Sequence, residues 1–183
     1  MSASAPIDSA AILHWIHAAL DRSRDLTMTV KSLKSGAHLT YRLRFVKRHP
    51  SDMTRARTFM VDVLTGPDNG ASYTFLGAVV FVDAYGDRSG VRPASIDVLV
   101  GERTTRPAAG CKAGDAPDSP IGADAASAKT LVWLFSRLAA GQSVGEQAEV
   151  WHDGTCSRCG RALTRPDSLS VGLGPECAQK GGE

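Results

Sequence analysis

Three of the four cysteines fall in one stretch, "CSRCGRALTRPDSLSVGLGPEC", residues 156–177. Two thiolates separated by two residues, Cys156 and Cys159, can reach the same Zn²⁺. Gly160 directly after them permits the tight turn that aims backbone amides at the sulfurs. Cys177 follows "GLGP", where Pro175 suits the first turn of a helix. A thiolate at a helix start is favoured by the helix dipole. Knuckle, short hairpin and ligand at a helix start is the order of a treble-clef zinc module. A structural zinc site closes with four ligands. The candidates for the fourth are His152, Cys111 and the histidines near the N-terminus, His14 and His17. His152 is favoured by locality, because His152-x3-Cys156 is short enough to fold back on the knuckle, whereas Cys111 lies in a distant Gly/Pro-rich stretch. The expected site is therefore Cys3His, at His152, Cys156, Cys159 and Cys177, holding one structural Zn²⁺ per chain.

Two plainer explanations compete. The cysteines would be free thiols with His152 an ordinary surface residue, but three cysteines within so short a stretch argue against this. Cys156 and Cys159 would be a redox pair, but such pairs accompany a βαβ pattern that is missing here, and Cys177 would have no role. A zinc site with four protein ligands has no open position, so it staples a segment too small to own a core and performs no catalysis. Arg158, Arg161 and Arg165 surround the knuckle and offer contacts to phosphate or to a partner's carboxylate. They are equally explained as solvated side chains.

The elements that must position this segment are read from periodicity. Residues 8–22 predict an amphipathic helix with Ile12, Leu13, Ile16 and Leu20 as its stripe. His14, His17 and Asp21 are spaced as a possible metal trio, although an exposed helix surface explains them better. Residues 26–46 predict a hairpin: "LTMTV", the turn "KSGAH", then "YRLRF", with Tyr41, Leu43 and Phe45 inward and Arg42 and Arg44 on the opposite face. Residues 58–65, 72–83 and 95–101 predict further strands, and Gly77 marks a bulge or bend. Residues 103–122 read as an Ala/Gly/Pro-rich loop or linker containing Cys111. Residues 123–140 predict a second helix whose buried face is Leu131, Leu134, Phe135 and Leu138. The expected fold class is α+β: an N-terminal helix, a curved antiparallel sheet, a second helix and a C-terminal treble-clef-like zinc module. The expected organisation is a helix-plus-sheet domain over 1–102, the linker over 103–122, a helix and strand packing on the sheet over 123–150, and the zinc module over 151–183.

"HDGTCSRCGRALTRPDSLSVGLGPEC" resembles the C-terminal module of a family of phage, prophage and plasmid proteins of unassigned activity. Its hallmark is a Cys-x-x-Cys-Gly-Arg-x-Leu-Thr stretch ending in Gly-x-Gly-Pro-x-Cys. The chain matches at Cys156, Cys159, Gly160, Arg161, Leu163, Thr164, Ser168, Gly172, Gly174, Pro175 and Cys177, with His152 in the place of a typical upstream histidine. "TVKSLKSGAHLTYRLR" and "FMVDVLTGPDNGASYTFLGAVV" resemble the β-rich half that often precedes the module. The linker at 103–122 is atypical. The resemblance implies zinc and a mobile-element origin, and it supplies no activity.

Charge points to a surface. The chain carries a net charge of +2, yet the stretch from Asp21 to Arg57 holds ten Lys/Arg against three Asp. Such a segment is a possible footprint for a polyanion or a solvated sheet face. The expected contacts are Arg42, Arg44, Lys47, Arg48, Arg55 and Arg57, with Arg158 and Arg161 from the knuckle. With Tyr41 and Phe45 turned inward, no stacking platform is evident. Two partners fit: nucleic acid, or a host protein complex blocked by an anti-CRISPR-like or anti-restriction-like inhibitor. Catalysis is not expected. HExxH and GxxxxGK[ST] are absent. The one asparagine, Asn69, lies in a turn, which removes the histidine–asparagine constellation of treble-clef nucleases. Asp62, Asp68 and Asp83 are explained by strand ends and turns. Apolar runs are too short to span a bilayer, and the N-terminus lacks a basic leader, so a cytoplasmic place in a bacterial host cell, with no membrane partner, is expected.

Overall fold

The structure is a computed structural model that describes residues 5–46, 56–67, 72–82, 95–100 and 119–179. Its elements run β1 (Ala5–Ile7), α1 (Ile12–Leu20), β2 (Leu26–Ser32), β3 (His38–Val46), β4 (Ala56–Leu64), β5 (Tyr73–Val82), β6 (Ser95–Val100), α2 (Ala126–Ala139), β7 (Ala148–His152), α3 (Pro166–Val171) and α4 (Pro175–Gln179). The strands form one seven-stranded sheet, ordered β1-β7-β2-β3-β4-β5-β6, antiparallel throughout. The fold is α+β, as the periodicities predict.

Period-2 alternation assigns the two faces. Leu26, Met28 and Val30 of β2 face Leu43, Tyr41 and Leu39 of β3, and Val61 and Val63 of β4 continue the same rows. This inner face is covered by both helices. Ile12, Trp15, Ile16, Ala19 and Leu20 of α1 join Leu131, Leu134, Phe135 and Leu138 of α2 in a single core with the strand residues. Edge-to-face rings bind the layers together: Phe45 on Phe59, Phe59 on Phe81, and Phe81 on Phe135 of α2. The buried Tyr41 hydroxyl donates to the Ser127 carbonyl at 2.9 Å, tying β3 to α2. Desolvation raises its pKa, only partly opposed by the Thr130 side chain.

The sheet closes in a way that local reading does not reach, and it bulges at Gly77 as expected. Residues 148–152 form a strand between β1 and β2, so a segment late in the chain closes the sheet beside the first hairpin. Next to Gly77, the register slips between Val61 and Asp62, leaving Leu76 as the extra residue. A Cβ at Gly77 would collide with the Leu99 carbonyl of β6, so only glycine allows the close approach there. No described helix is long and apolar enough to cross a membrane. Lys47, Arg48, Arg55, Asp68, Asn69, Asp83 and Cys111, with most of the expected linker, lie outside the described residues.

Candidate metal centre and the basic sheet face

The cysteine segment folds as the spacing implies. A turn at 157–159 is closed by the Gly160 amide donating to the Cys156 carbonyl at 2.7 Å. Gly160 has φ +74°, where L side chains are strained. The Cys156 amide donates to the Arg161 carbonyl, and Thr155 bridges Ala162, which makes the short hairpin. Then α3 and α4 follow, with Cys177 in the first turn of α4. The sulfurs of Cys156, Cys159 and Cys177 all lie within 4.8 Å of one another. Thiolates on one Zn²⁺, each about 2.3 Å from the ion, sit about 3.8 Å apart, so the three fit a shared ion after a small contraction. They border a cavity of about 180 Å³ together with Ser168 and Glu176. Cys156 is buried, Cys177 half-buried and Cys159 exposed.

The surroundings act differently on these sulfurs. At Cys156, burial is the largest influence and works upward. The amides of Gly174, Cys159 and Arg158 and the Cys159 thiol act against it, and the net effect lowers the pKa. The Gly174 amide points at its sulfur from 3.5 Å. Cys177 is pushed up to about 11, first by burial and then by hydrogen bonds and charge repulsion from the other two sulfurs. The helix-start position therefore does not by itself favour the Cys177 thiolate. A cation bound among the three sulfurs would reverse that balance.

His152 lies apart from this group, in contrast to the expected Cys3His set. Its register on β7, opposite Met28, turns the ring to the inner face, where it is buried 6.2 Å from the Trp15 ring. Nδ1 accepts from the Gly154 amide at 3.0 Å, and Nε2 faces the Leu169 carbonyl at 2.9 Å, a geometry that requires the Nε2–H tautomer. Both nitrogens are thus engaged with backbone, and the imidazole clamps the end of β7 to α3. Among the described residues the three cysteines are the one group of potential ligands this close together. The alternative trio, His14, His17 and Asp21, does not assemble as a ligand group among the described residues either. His17 is buried with its ring edge-on to Phe81, His14 is exposed, and Asp21 accepts an ion pair from Arg57 at 2.7 Å.

The module is docked on the main core. Gly172, at φ +68°, lies so close to the Trp15 indole that a Cβ there would collide with the ring. Asp8 donates its amide to the Ser170 carbonyl, joining the residue after β1 to α3. Ala18 of α1 packs with Cys156, Leu163 and Leu173 in a second small apolar cluster.

The arginines separate into different environments. Arg42 and Arg44 lie on the outer face of the sheet, as predicted, but both converge on Asp62 of β4. Arg44 Nε donates to Asp62 at 2.6 Å, and Arg42 Nη2 does so at 3.2 Å. Asp62 is almost fully buried, while the arginine side chains are 37% and 47% exposed. The hydrogen bond to Asp62 is the main reason the Arg44 pKa is raised. Arg42 also lies over the Tyr73 ring, 4.4 Å from its centroid. Arg57 departs from the expectation. Its register opposite Phe81 sets it on the inner face, its side chain is 16% exposed, and it bonds Asp21 and His17 Nδ1. Arg158 donates to the Cys177 carbonyl, a packing role within the module, and Arg161 is exposed. The outer face also holds residues not singled out from sequence: Trp151 and Glu149 of β7, Lys31 of β2, and Tyr73 and Phe75 of β5. Alternation within the expected strand "AEVWH" places Trp151 on the other face from Val150.

No curated protein and no solved structure matches the chain. Residues 147–181, which run from β7 through the three cysteines to the end of α4, match a family of unknown function, DUF6011.

Proposed function

We propose that the protein is a non-enzymatic binding protein in which a structural Zn²⁺ on Cys156, Cys159 and Cys177 staples the C-terminal module, and that the outer face of the sheet binds nucleic acid. The observation that carries this reading is the division of the sheet into two faces. Both long helices lie on the inner face, and Lys31, Arg42 and Arg44 project from the other. Asp62 neutralises one of the two arginine charges. The guanidiniums are partly exposed, so a phosphate can recruit their solvent-facing donors while the buried Asp62 keeps its contacts. Among the described residues of this face, Lys31, Arg42 and Arg44 stand against Glu149, Asp62 and Asp97, so the cations offer local contacts to phosphate oxygens rather than a net positive field.

Three thiolates leave the fourth position of a tetrahedral ion to water or to a ligand beyond the described residues, and the role we assign to the ion is to staple the module. Three thiolates of differing burial select a soft or borderline ion, and the ion would replace mutual thiol repulsion with attraction. Arg161, exposed beside the knuckle, would extend the positive surface. The test is fluorescence anisotropy with labelled random oligonucleotides at low salt, where counterion release favours association most. Binding that weakens linearly with the logarithm of salt supports the reading, and no detectable binding at low salt overturns it. In that second outcome, a host protein captured in a nuclease-resistant complex would assign the face to a protein partner.

A further inference from the structure

Continuing the strand registers across the outer face gives one transverse row. Trp151 of β7 stands opposite Thr29 of β2, and Thr29 stands opposite Thr40 of β3. The β3–β4 register then leads to Leu64, which stands opposite Tyr73 of β5. The row therefore carries an aromatic ring at each end, four strand intervals apart, or about 19 Å at about 4.8 Å per interval. Each ring has a cation over it: Lys31 Nζ is 5.9 Å from the Trp151 centroid, and Arg42 is 4.4 Å from that of Tyr73. Between the rings the Thr29 and Thr40 hydroxyls bond each other at 2.8 Å. The Trp151 indole is held in place, because its Nε1–H donates to Glu149 at 3.0 Å, and Glu149 in turn pairs with Lys31 at 3.4 Å. Both aromatic residues are half-buried, so their rings lie against the sheet with part of their surface in solvent.

We propose that this row binds single-stranded nucleic acid, with bases stacking on Trp151 and on the Arg42–Tyr73 pair and phosphates meeting Lys31 and Arg42. The inference deepens the reading given under Proposed function and rests on it. Unpaired bases present π-faces that aromatic rings and guanidinium planes can take up, while a duplex keeps those faces stacked inside. The threonine pair contributes hydroxyls that donate to or accept from sugar and base edges without selecting a sequence. Sequence tolerance follows, because every base has a π-face.

The experiment compares a labelled oligothymidine of about 12 nucleotides, within the span of one such surface, with a duplex of equal length, at low salt and by anisotropy. The parent protein is expected to bind the single strand more tightly than the duplex. Trp151→Ala and Tyr73→Ala should each weaken single-strand binding about 5- to 150-fold, the loss of one base–aromatic stack, and leave duplex binding unchanged. Trp151→Phe, which keeps a ring on the sheet, should restore most of the affinity and so separates stacking from a folding defect. Equal affinity for both forms, or Trp151→Ala and Tyr73→Ala proteins that bind the single strand like the parent, overturns the stacking inference while the nucleic-acid reading survives. Absence of binding to either form overturns both.

Discussion

The most informative perturbation is at His152, where ligand and clamp make opposite predictions. Replacing it with alanine removes two hydrogen bonds to buried backbone, the Gly154 amide and the Leu169 carbonyl. An unpartnered buried polar group costs about 1–3 kcal/mol, so the pair amounts to about 2–6 kcal/mol, before the space left beside Trp15 is counted. At about 4 kcal/mol, a chain of this size should lose roughly 8–16 °C in melting temperature. His152→Gln should fall between, since its amide can still donate toward Leu169 while the Gly154 bond is lost. The metal readout is independent of stability. Cobalt(II) bound in place of the native ion reports its ligands through its visible bands. With His152 engaged by backbone, the cobalt spectrum and the metal stoichiometry of His152→Gln should equal those of the parent, while its melting temperature drops. A shifted spectrum with an unchanged melting temperature would show that the imidazole is a ligand, and the clamp argument would fail.

Other outcomes follow from the same geometry. Cys156→Ser and Cys177→Ser should each abolish stoichiometric metal retention, measured by elemental analysis, and should loosen α3 and α4 to hydrogen exchange while the sheet stays protected, because the sheet has its own core. Metal affinity should rise with pH through the neutral range. Cys177, pushed up to about 11, holds its proton there, so binding must release it, and acid opposes that release; calorimetry in buffers of different ionisation enthalpy should count at least about one proton. Asp62→Asn should lower stability by about 1–3 kcal/mol and release both guanidiniums, so oligonucleotide affinity and its salt dependence should increase; unchanged binding would mean that Arg42 and Arg44 do not touch the ligand. Gly172→Ala should cost about 2 kcal/mol or more, since φ +68° disfavours a side chain and its Cβ meets Trp15, with an altered Trp15 emission as the accompanying sign.

Much of the fold was legible from local pattern. The alternation of Leu26, Met28 and Val30 against Tyr41 and Leu43 predicted a hairpin that runs from Leu26 to Val46. The i, i+3, i+4, i+7 spacing from Leu131 to Leu138 predicted α2 and its buried face. Both signals are local, because period 2 and period 3.6 are properties of the backbone itself. The first helix is shorter than the expected 8–22, since Asp8 and Ser9 lie in the turn from β1. β1 was not legible, nor was the place of the later strand between β1 and β2, because three to five residues carry little periodic signal and their pairing partners lie more than a hundred positions away.

The candidate centre divides in the same way. The Cys156–Cys159 knuckle is legible in sequence from its two-residue spacing and following glycine, while Cys177 is brought to it by the return of the chain through α3 and α4. The fate of His152 was decided by tertiary structure. One residue of strand register sets which face a side chain takes, and that register turned His152 to the core while leaving Trp151 on the outer face. The same holds for the basic stretch. Sequence placed Arg42 and Arg44 together, but only pairing with β4 brought Asp62 between them, and only pairing with β5 turned Arg57 inward against Asp21. Composition records which charges a chain carries. Which of them remain exposed depends on partners that meet only when distant strands lie side by side.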